Sequence, residues 1–599
     1  MFDEVQGVLH GTWPTETDAL LAVHAAFRRL PADQLSHLAP ARIAILGGYT
    51  TKFVTPLVQL FLARAGVLAT MWEGDYGLAE QISHDPAALA AFNPDVVFLC
   101  VGTEHLDLAN PSGEATRWKN IWRRLHESLS CDIVQNTFEP SAPRLYGSFD
   151  VRDPQSPVSI VRRINAAMIE DAPAYVHFND VDGRAAHRGR AQWRDQTLYD
   201  MTKLPCAFDA LPAYARSVSA VIAALRGRSK KCLVVDLDNT LWGGVLGDDG
   251  IASVRVGAED GEGEAFARFQ SYLKRLRQRG VLLAIASKND EALVRQCFAE
   301  RTEMPLAWSD FAATAINWEP KHQNLMRLSQ QLNIGLDAFV FVDDNPAERE
   351  IVRQHLPLVE VVDLPEDPAG FAEAVADGSW FDAVSLTNED RDRTSQYQAN
   401  ALRDAEWQSA GDYDAFLTSL NMTATLQPVT AANVVRVTQL INKTNQFNLT
   451  TRRYPQAQVE KMAGDPNWVT LAVTLADRFG DNGLISVVLA QVAADRALNV
   501  DTWLMSCRVL KRGVESMLWH ALLRAADSRG LTSVTGTYIP TARNTMVARL
   551  FEECGASMVT TEADGTTHWH APVTQETIAA AAARLAPIAV GLNETGSTL

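Results

Sequence analysis

The sequence predicts a multidomain α/β protein, and three observations carry that prediction. Apolar runs of strand length alternate with segments of helical period through the first two thirds of the chain. The last third changes to longer strands grouped around one strongly patterned helix. The 599 residues also exceed what one hydrophobic core can organise. We place an α/β domain at 1–225, a second at 226–365, a helical connector at 366–420, a mixed-sheet domain at 421–575 and a tail at 576–599.

Composition is that of a globular chain, with 47% hydrophobic and 21% charged residues. The formal net charge of −18 speaks against nucleic acid as a partner, because phosphate binding needs a basic surface. An acidic protein partner would have to meet a local basic patch. The seven cysteines (Cys100, Cys131, Cys206, Cys232, Cys297, Cys507 and Cys554) show no paired spacing, which suits reduced thiols. Met1-Phe-Asp-Glu does not begin a signal peptide, and no apolar run approaches the ~18 residues of a membrane span. The expectation is a cytoplasmic protein without a membrane partner.

In the first third, candidate strands are Ile43–Leu46, Val67–Met71, Val96–Val101, Ile133–Gln135 and Tyr175–Phe178, with a helix over Pro56–Arg64 ended by Gly66. The alternation predicts a parallel sheet covered on both faces, with any site at the strands' carboxyl ends. The first strand ends in Gly47-Gly-Tyr-Thr-Thr51. The layout resembles the flavodoxin-like SGNH hydrolase fold, although the serine expected after the first strand is missing. A hydrolase reading would use Thr50 or Thr51 with Asn136 and His177 or His187, but it rests on fold analogy alone. The reading preferred here is a non-catalytic docking or cap domain. Arg184–Arg194 reads as an arginine-rich loop, and Arg226–Lys231 as a basic linker.

The chemistry centres on Lys231-Cys-Leu-Val-Val-Asp-Leu-Asp-Asn-Thr-Leu-Trp-Gly-Gly244. A buried strand, Leu233–Val235, delivers Asp236 and Asp238, whose i and i+2 spacing predicts carboxylates converging on one point. Such a pair repels unless a cation or a proton lies between them. A helix follows over about Glu264–Gln278, then a strand over Val281–Ala286 leading into Ser287-Lys-Asn-Asp. Lys321 opens a helix after Trp318-Glu-Pro320, and Phe339-Val-Phe-Val-Asp-Asp-Asn-Pro346 places Asp343 and Asp344 at another strand end. Each piece alone also has a bland explanation, as a helix cap or a solvated lysine; their order is what carries the chemistry.

That order resembles the haloacid dehalogenase superfamily of phosphohydrolases, which have a Rossmann-like sheet. The resemblance implies that Asp236 attacks phosphorus and Asp238 acts as acid and base. Asp236, the Asp238 backbone carbonyl and Asp343 would bind Mg2+, with Asp344 as a further ligand or behind one. Ser287 and Lys321 would hold the phosphoryl oxygens, with Thr240 and Asn289 on the substrate side. Only 51 residues separate Asp236 from Ser287, too few for a large cap. More narrowly, Asp236–Gly247, Ser287-Lys-Asn-Asp and Phe341-Val-Asp-Asp-Asn-Pro-Ala-Glu-Arg349 are similar to FkbH-type enzymes of polyketide biosynthesis. Those handle a three-carbon phosphoglyceryl unit from 1,3-bisphosphoglycerate and deliver it to a phosphopantetheinylated acyl carrier protein.

In the last third, strands Trp468–Ala476, Leu484–Val492 and Asp501–Met505 precede Ser506-Cys-Arg-Val-Leu-Lys-Arg-Gly513. The next helix carries Val514, Met517, Leu518, Ala521, Leu522 and Ala525 on one face, and a strand over Leu531–Gly536 follows. This order resembles the GNAT acetyltransferase fold, whose loop before that helix binds a pantetheine pyrophosphate. Here the loop has a single glycine, but Arg508, Lys511 and Arg512 would favour a phosphate at the helix start. Leu440–Tyr454 and Asp477–Ile485 also match the FkbH type. The polar set Asn442, Lys443, Asn445, Gln446 and Asn448 would orient a hydroxylated acyl chain, or lie on a surface helix. Arg478 and Asp481 are loop candidates for the same pocket. Cys507, beside basic residues that lower a thiol's pKa, is a candidate acyl-bearing nucleophile or a small buried hydrophobe. Two other functions fit parts of the pattern: a small-molecule phosphatase without acyl transfer, and a non-enzymatic carrier-protein docking scaffold. The complete Asp/Asp/Ser/Lys/Asp set argues against the scaffold.

Overall fold

Short β-branched and apolar runs, bounded by glycine, asparagine and proline, form the strands on which every candidate site is built. The computed structural model describes residues 7–140, 143–258, 260–409, 412–506, 509–541 and 543–592. The chain forms two compact units. One comprises Met1–Ser229 with Asp382–Val384 and Pro455–Ala457; the other comprises Lys230–Phe381, Ser385–Tyr454 and Gln458–Leu599.

The first unit contains strands β1 (Ala39–Gly47), β2 (Val67–Glu73), β3 (Val96–Cys100), β4 (Asp132–Asn136) and β5 (Val176–Asn179). They form an all-parallel sheet in the order β2-β1-β3-β4-β5, one of the two common doubly wound orders. Alternating side chains feed two cores: Ile43, Ile45 and Phe98 on one face, Ala44, Leu46 and Leu99 on the other. Helices Val54–Arg64 and Leu211–Leu225 cover the first face, Pro111–Leu129 and Pro157–Glu170 the second. The sequence reading overlooked Leu211–Leu225. Phe208–Leu225 is, among the described residues, the one segment apolar and long enough to cross a membrane, and most of it is buried. The arginine-rich stretch read as a loop forms helices Val181–Arg188 and Arg190–Trp193, the first capped by Asp180.

The second unit holds two sheets. β6 (Cys232–Val235), β7 (Leu282–Ser287), β8 (Ala313–Ile316), β9 (Phe339–Val342) and β10 (Glu360–Val361) are parallel, in the order β10-β9-β6-β7-β8. β6 is central, and all four of its residues are buried. The helix after β6 runs from Gly261 to Gln278, with Asp260 accepting the Gly263 N–H at its start.

The other sheet is mixed, with eight strands: β11 (Met422–Gln427), β12 (Trp468–Asp477), β13 (Gly480–Val492), β14 (Ala497–Met505), β15 (Ser533–Tyr538), β16 (Ser557–Thr561), β17 (Thr567–Pro572) and β18 (Ile588–Leu592). Helix Val514–Ser528 packs the predicted Val514, Met517, Leu518, Leu522 and Ala525 into its core. β14 and β15 pair in parallel only through Ala497–Val500 and Ser533–Gly536.

Candidate active site

β6 ends at Val235, and the Asp236 N–H still donates to the Val342 carbonyl at 3.0 Å, holding Asp236 at the sheet's edge. The chain then leaves the strand. Asn239 takes a positive φ of 53°, and its side chain accepts the Gly244 N–H at 2.9 Å. Extended geometry stops there, and the Asp238 carboxylate takes its own set of partners. Oxygens of Asp236, Asp343 and Asp344 lie within 4.8 Å of one another; Asp238 is outside that group. The Asp238 carboxylate instead accepts Trp242 Nε1 at 2.9 Å, the Leu246 N–H at 3.1 Å and Asn289 Nδ2 at 3.1 Å.

Lys321, first residue of its helix, reaches into the carboxylates: its Nζ lies 2.7 Å from Asp236 and 2.5 Å from Asp343. Thr240 donates to Asp344 Oδ1 at 3.2 Å and accepts the Asp344 N–H at 3.1 Å. Arg349, to which the sequence reading gave no role, donates to the carbonyls of Asp343 and Asp344 and fixes that turn. Ser287 closes β7 at the same edge and is buried. Asn289, read as substrate-binding, is placed on Asp238, where it orients that carboxylate.

Burial, then the nearby Asp236 charge, pushes the carboxyls of Asp343 and Asp344 up, Asp343 to about 6. Asp238 is raised mainly by burial. Burial also opposes the Lys321 charge, but Asp236 and Asp343 outweigh it and keep the ammonium protonated. One lysine facing three acids leaves negative charge uncompensated. Asp236 Oδ1 is buried without a hydrogen-bond partner, as a carboxylate oxygen reserved for a cation would be. An all-oxygen set of this kind fits a hard divalent ion.

The acyl-transfer candidates are placed less openly. Cys507 and Arg508 lie outside the described residues. Lys511 is exposed, and its carbonyl accepts the Tyr413 hydroxyl. Arg512, read as a phosphate ligand, is buried: it pairs with Asp477 at 3.0 Å and donates to Asn400 at 3.0 Å. Asn445 accepts from Arg453, and Lys443 stands 3.5 Å from Asp390. Asn448 is fully buried, because Phe447–Leu449 fills the space where β14 and β15 part. The Leu449 N–H donates to Trp503 O at 3.1 Å, and its carbonyl accepts Ile539 N–H at 2.9 Å. Phe447 O accepts Met505 N–H at 3.0 Å. Trp503 O, Met505 N–H and Ile539 N–H are therefore paired with this segment.

In the first unit the hydrolase candidates are tied to structure. The Thr50 hydroxyl donates to Thr202 O at 2.6 Å, and Thr51 to Glu73. Asn136 donates to the Tyr214 hydroxyl at 2.8 Å, and His177 faces Asp132 at 3.4 Å. The histidine beside the β1 turn is instead His105, 2.7 Å from the Gly48 carbonyl. Nearby, Tyr49 donates to Glu104 at 2.7 Å, and Arg194 bridges Glu104 and, at 3.4 Å, Glu139. Arg194 sits closer to Glu104, so burial dominates at Glu139 and, with the Glu104 charge, pushes its carboxyl up to about 8. Between the unfolded value near ~4.3 and that folded value the native chain binds more protons, so stability should fall as pH rises, by on the order of 1 kcal/mol per pH unit. Glu139→Gln is expected to flatten that slope in urea unfolding of the full chain at pH 5.5, 6.5 and 7.5. An unchanged slope would show that this carboxyl does not titrate there.

The amino-terminal residues 42–223 match the family model described as FkbH, N-terminal domain. Among solved structures, the chain is similar to the N-terminal part of the protein BF1531 from Bacteroides fragilis, which contains a phosphatase domain and was solved complexed with Mg. Identity is 29%, the match covers 62% of this chain and 100% of that one, and the TM-score is 0.57. The ribosomal-protein-S18-alanine N-acetyltransferase from Escherichia coli matches at 12% identity over 26% of this chain and 96% of its own, with a TM-score of 0.21. Spermidine N-acetyltransferase from Vibrio cholerae, in complex with CoA and spermine, matches at 13% identity over 26% of this chain and 98% of its own, also at 0.21. No curated protein matches the chain.

Proposed function

We propose that this chain is a cytoplasmic FkbH-like enzyme in which a magnesium-dependent phosphatase site serves an acyl transfer. It takes a phosphoglyceryl unit from 1,3-bisphosphoglycerate, removes the remaining phosphate at Asp236, and transfers the acyl unit to the phosphopantetheine thiol of an acyl carrier protein in polyketide-type biosynthesis. The observation that carries the phosphatase half is the group of buried Asp236 and Asp343 with half-buried Asp344, and Lys321 seated on the first two. Asp236, Asp343 and Asp344 would hold Mg2+, which when bound supplies positive charge against the phosphoryl oxygens.

Asp236 attacks phosphorus as the ester P–O bond breaks. The leaving oxygen takes its proton from Asp238, which burial holds toward the protonated form and which Trp242 and Asn289 keep in place. Asp238 then accepts a proton from the water that hydrolyses the aspartyl phosphate. Lys321 and Ser287 balance charge on the transferred group. Sequence similarity to FkbH-type enzymes and the carboxyl-terminal mixed sheet support the acyl-transfer half.

The test is mass spectrometry of an acyl carrier protein incubated with the enzyme, Mg2+ and 1,3-bisphosphoglycerate. A glyceryl adduct is the expected product. An unmodified carrier, with phosphate still released from small substrates, would reduce the enzyme to a plain phosphatase.

A further inference from the structure

Three strand ends surround the Asp236 carboxylate, and side-chain contacts join them in turn. β6 lies between β9 and β7 in its sheet. Asp343 and Asp344 follow β9, and Asn289 follows β7 two residues after Ser287, the last of that strand. Asn289 binds Asp238 in the loop after β6 at 3.1 Å, and Thr240 of that loop binds Asp344 at 3.2 Å. An ion pair closes the third side: Lys288 Nζ lies 2.5 Å from Glu348 Oε1. Because Lys288 follows β7 and Glu348 follows β9, this pair spans the end of β6, between strands that stand about 10 Å apart.

Both ends of the pair are anchored. Lys288 stands between Asn289 and Ser287, whose carbonyl accepts the Asn317 N–H at 3.1 Å. Asp290 caps the helix Glu291–Glu300 by accepting the Leu293 N–H at 3.0 Å. Glu348 lies in the first turn of helix Pro346–His355. There Asn345 accepts the Ala347 N–H at 2.9 Å, and Arg349 holds the carbonyls of Asp343 and Asp344. The Glu348 side chain is 13% exposed, against 40% for Lys288, so water screens this pair less than an open surface pair. The two side chains join one fixed turn to another.

We infer that Lys288 and Glu348 are positioning residues, whose ion pair closes a ring of contacts around Asp236 and keeps Asp238 in register with the carboxylates that follow β9. This rests on the phosphatase reading above and adds to it two residues that act through others. To protonate a leaving oxygen while Asp236 attacks phosphorus, Asp238 has to be held to within about half an ångström. Lys288 acts on it through Asn289, its neighbour in the chain. Without the pair, the loop after β7 keeps its hold on Asp238 but loses its tie to the helix after β9. Asn289 and Asp238 then drift together relative to Asp343 and Asp344.

The full chain with Mg2+ should be assayed for phosphate release from two esters. Glycerol 3-phosphate has an alkoxide leaving group that needs a proton; para-nitrophenyl phosphate has a phenolate that does not. We expect Lys288→Met and Glu348→Gln each to lower kcat for glycerol 3-phosphate by about tenfold with KM little changed, and for the aryl ester by less than about threefold. The two losses should not add in the double variant. Exchanging the charges, Lys288→Glu with Glu348→Lys, should recover most of the native rate. Additive losses, equal losses on both esters, single variants that keep the native rate, or a rise in KM with Lys288→Met alone would each overturn the inference while leaving the phosphatase intact. Release from neither ester by the native protein would remove the phosphatase reading and this inference with it.

Discussion

Asp236→Asn should reduce phosphate release by at least about a thousandfold, because an amide oxygen is a far weaker nucleophile than a carboxylate. The substitution preserves shape, so Lys321 and the Val342 hydrogen bond should keep the edge of β6 in place. The acyl transfer proposed for the carboxyl-terminal domain does not use this carboxylate. A carrier protein incubated with the variant should therefore gain a phosphoglyceryl mass in place of glyceryl. Phosphate release within tenfold of the native rate would exclude Asp236 as the nucleophile. Loss of all loading onto the carrier would instead show that the phosphate must leave before transfer.

Asp477→Ala should be among the most destabilising single changes in the second unit, at about 3–5 kcal/mol. The Asp477 side chain is fully buried and accepts Arg403 at 2.6 Å and Arg512 at 3.0 Å, two arginines that are themselves nearly buried. Removing the carboxylate leaves two guanidinium groups in a low-dielectric site without the charge that balances them, although both still donate to Asn400. Arg403 belongs to the helix Arg393–Ser409, and Arg512 precedes helix Val514–Ser528, so the loss should loosen both against β12. Urea unfolding measures it; a change below about 1 kcal/mol would mean that water reaches these charges.

The same ion pair joins residues far apart in the sequence. Arg512 stands beside basic neighbours at a helix start, which suggests a phosphate ligand, but its partner Asp477 is 35 residues earlier and comes to it only through the sheet. The Phe447–Leu449 segment behaves similarly. Its polar surroundings suggest a substrate-facing helix, while its backbone completes the gap between β14 and β15. β11 and the short β8 and β10 carry little periodic signal, since they are polar or only two to four residues long. The alternating pattern of Met422–Gln427 was the available clue to β11.

By itself the sequence determined the order of the α/β elements and singled out Asp236, Asp238, Ser287, Lys321, Asp343 and Asp344 at their ends. Those residues follow or begin apolar elements whose period is local, so their placement at strand ends and a helix start could be read without knowing the fold. Only the tertiary structure decided which carboxylates share a cation site. The turn at Asn239 sends Asp238 to Trp242 and Asn289, whereas Asp343 and Asp344 arrive from β9, the strand paired beside β6. That division follows from physics: a strand's period is written in adjacent residues, but the meeting of charges depends on turns and on pairing between distant segments.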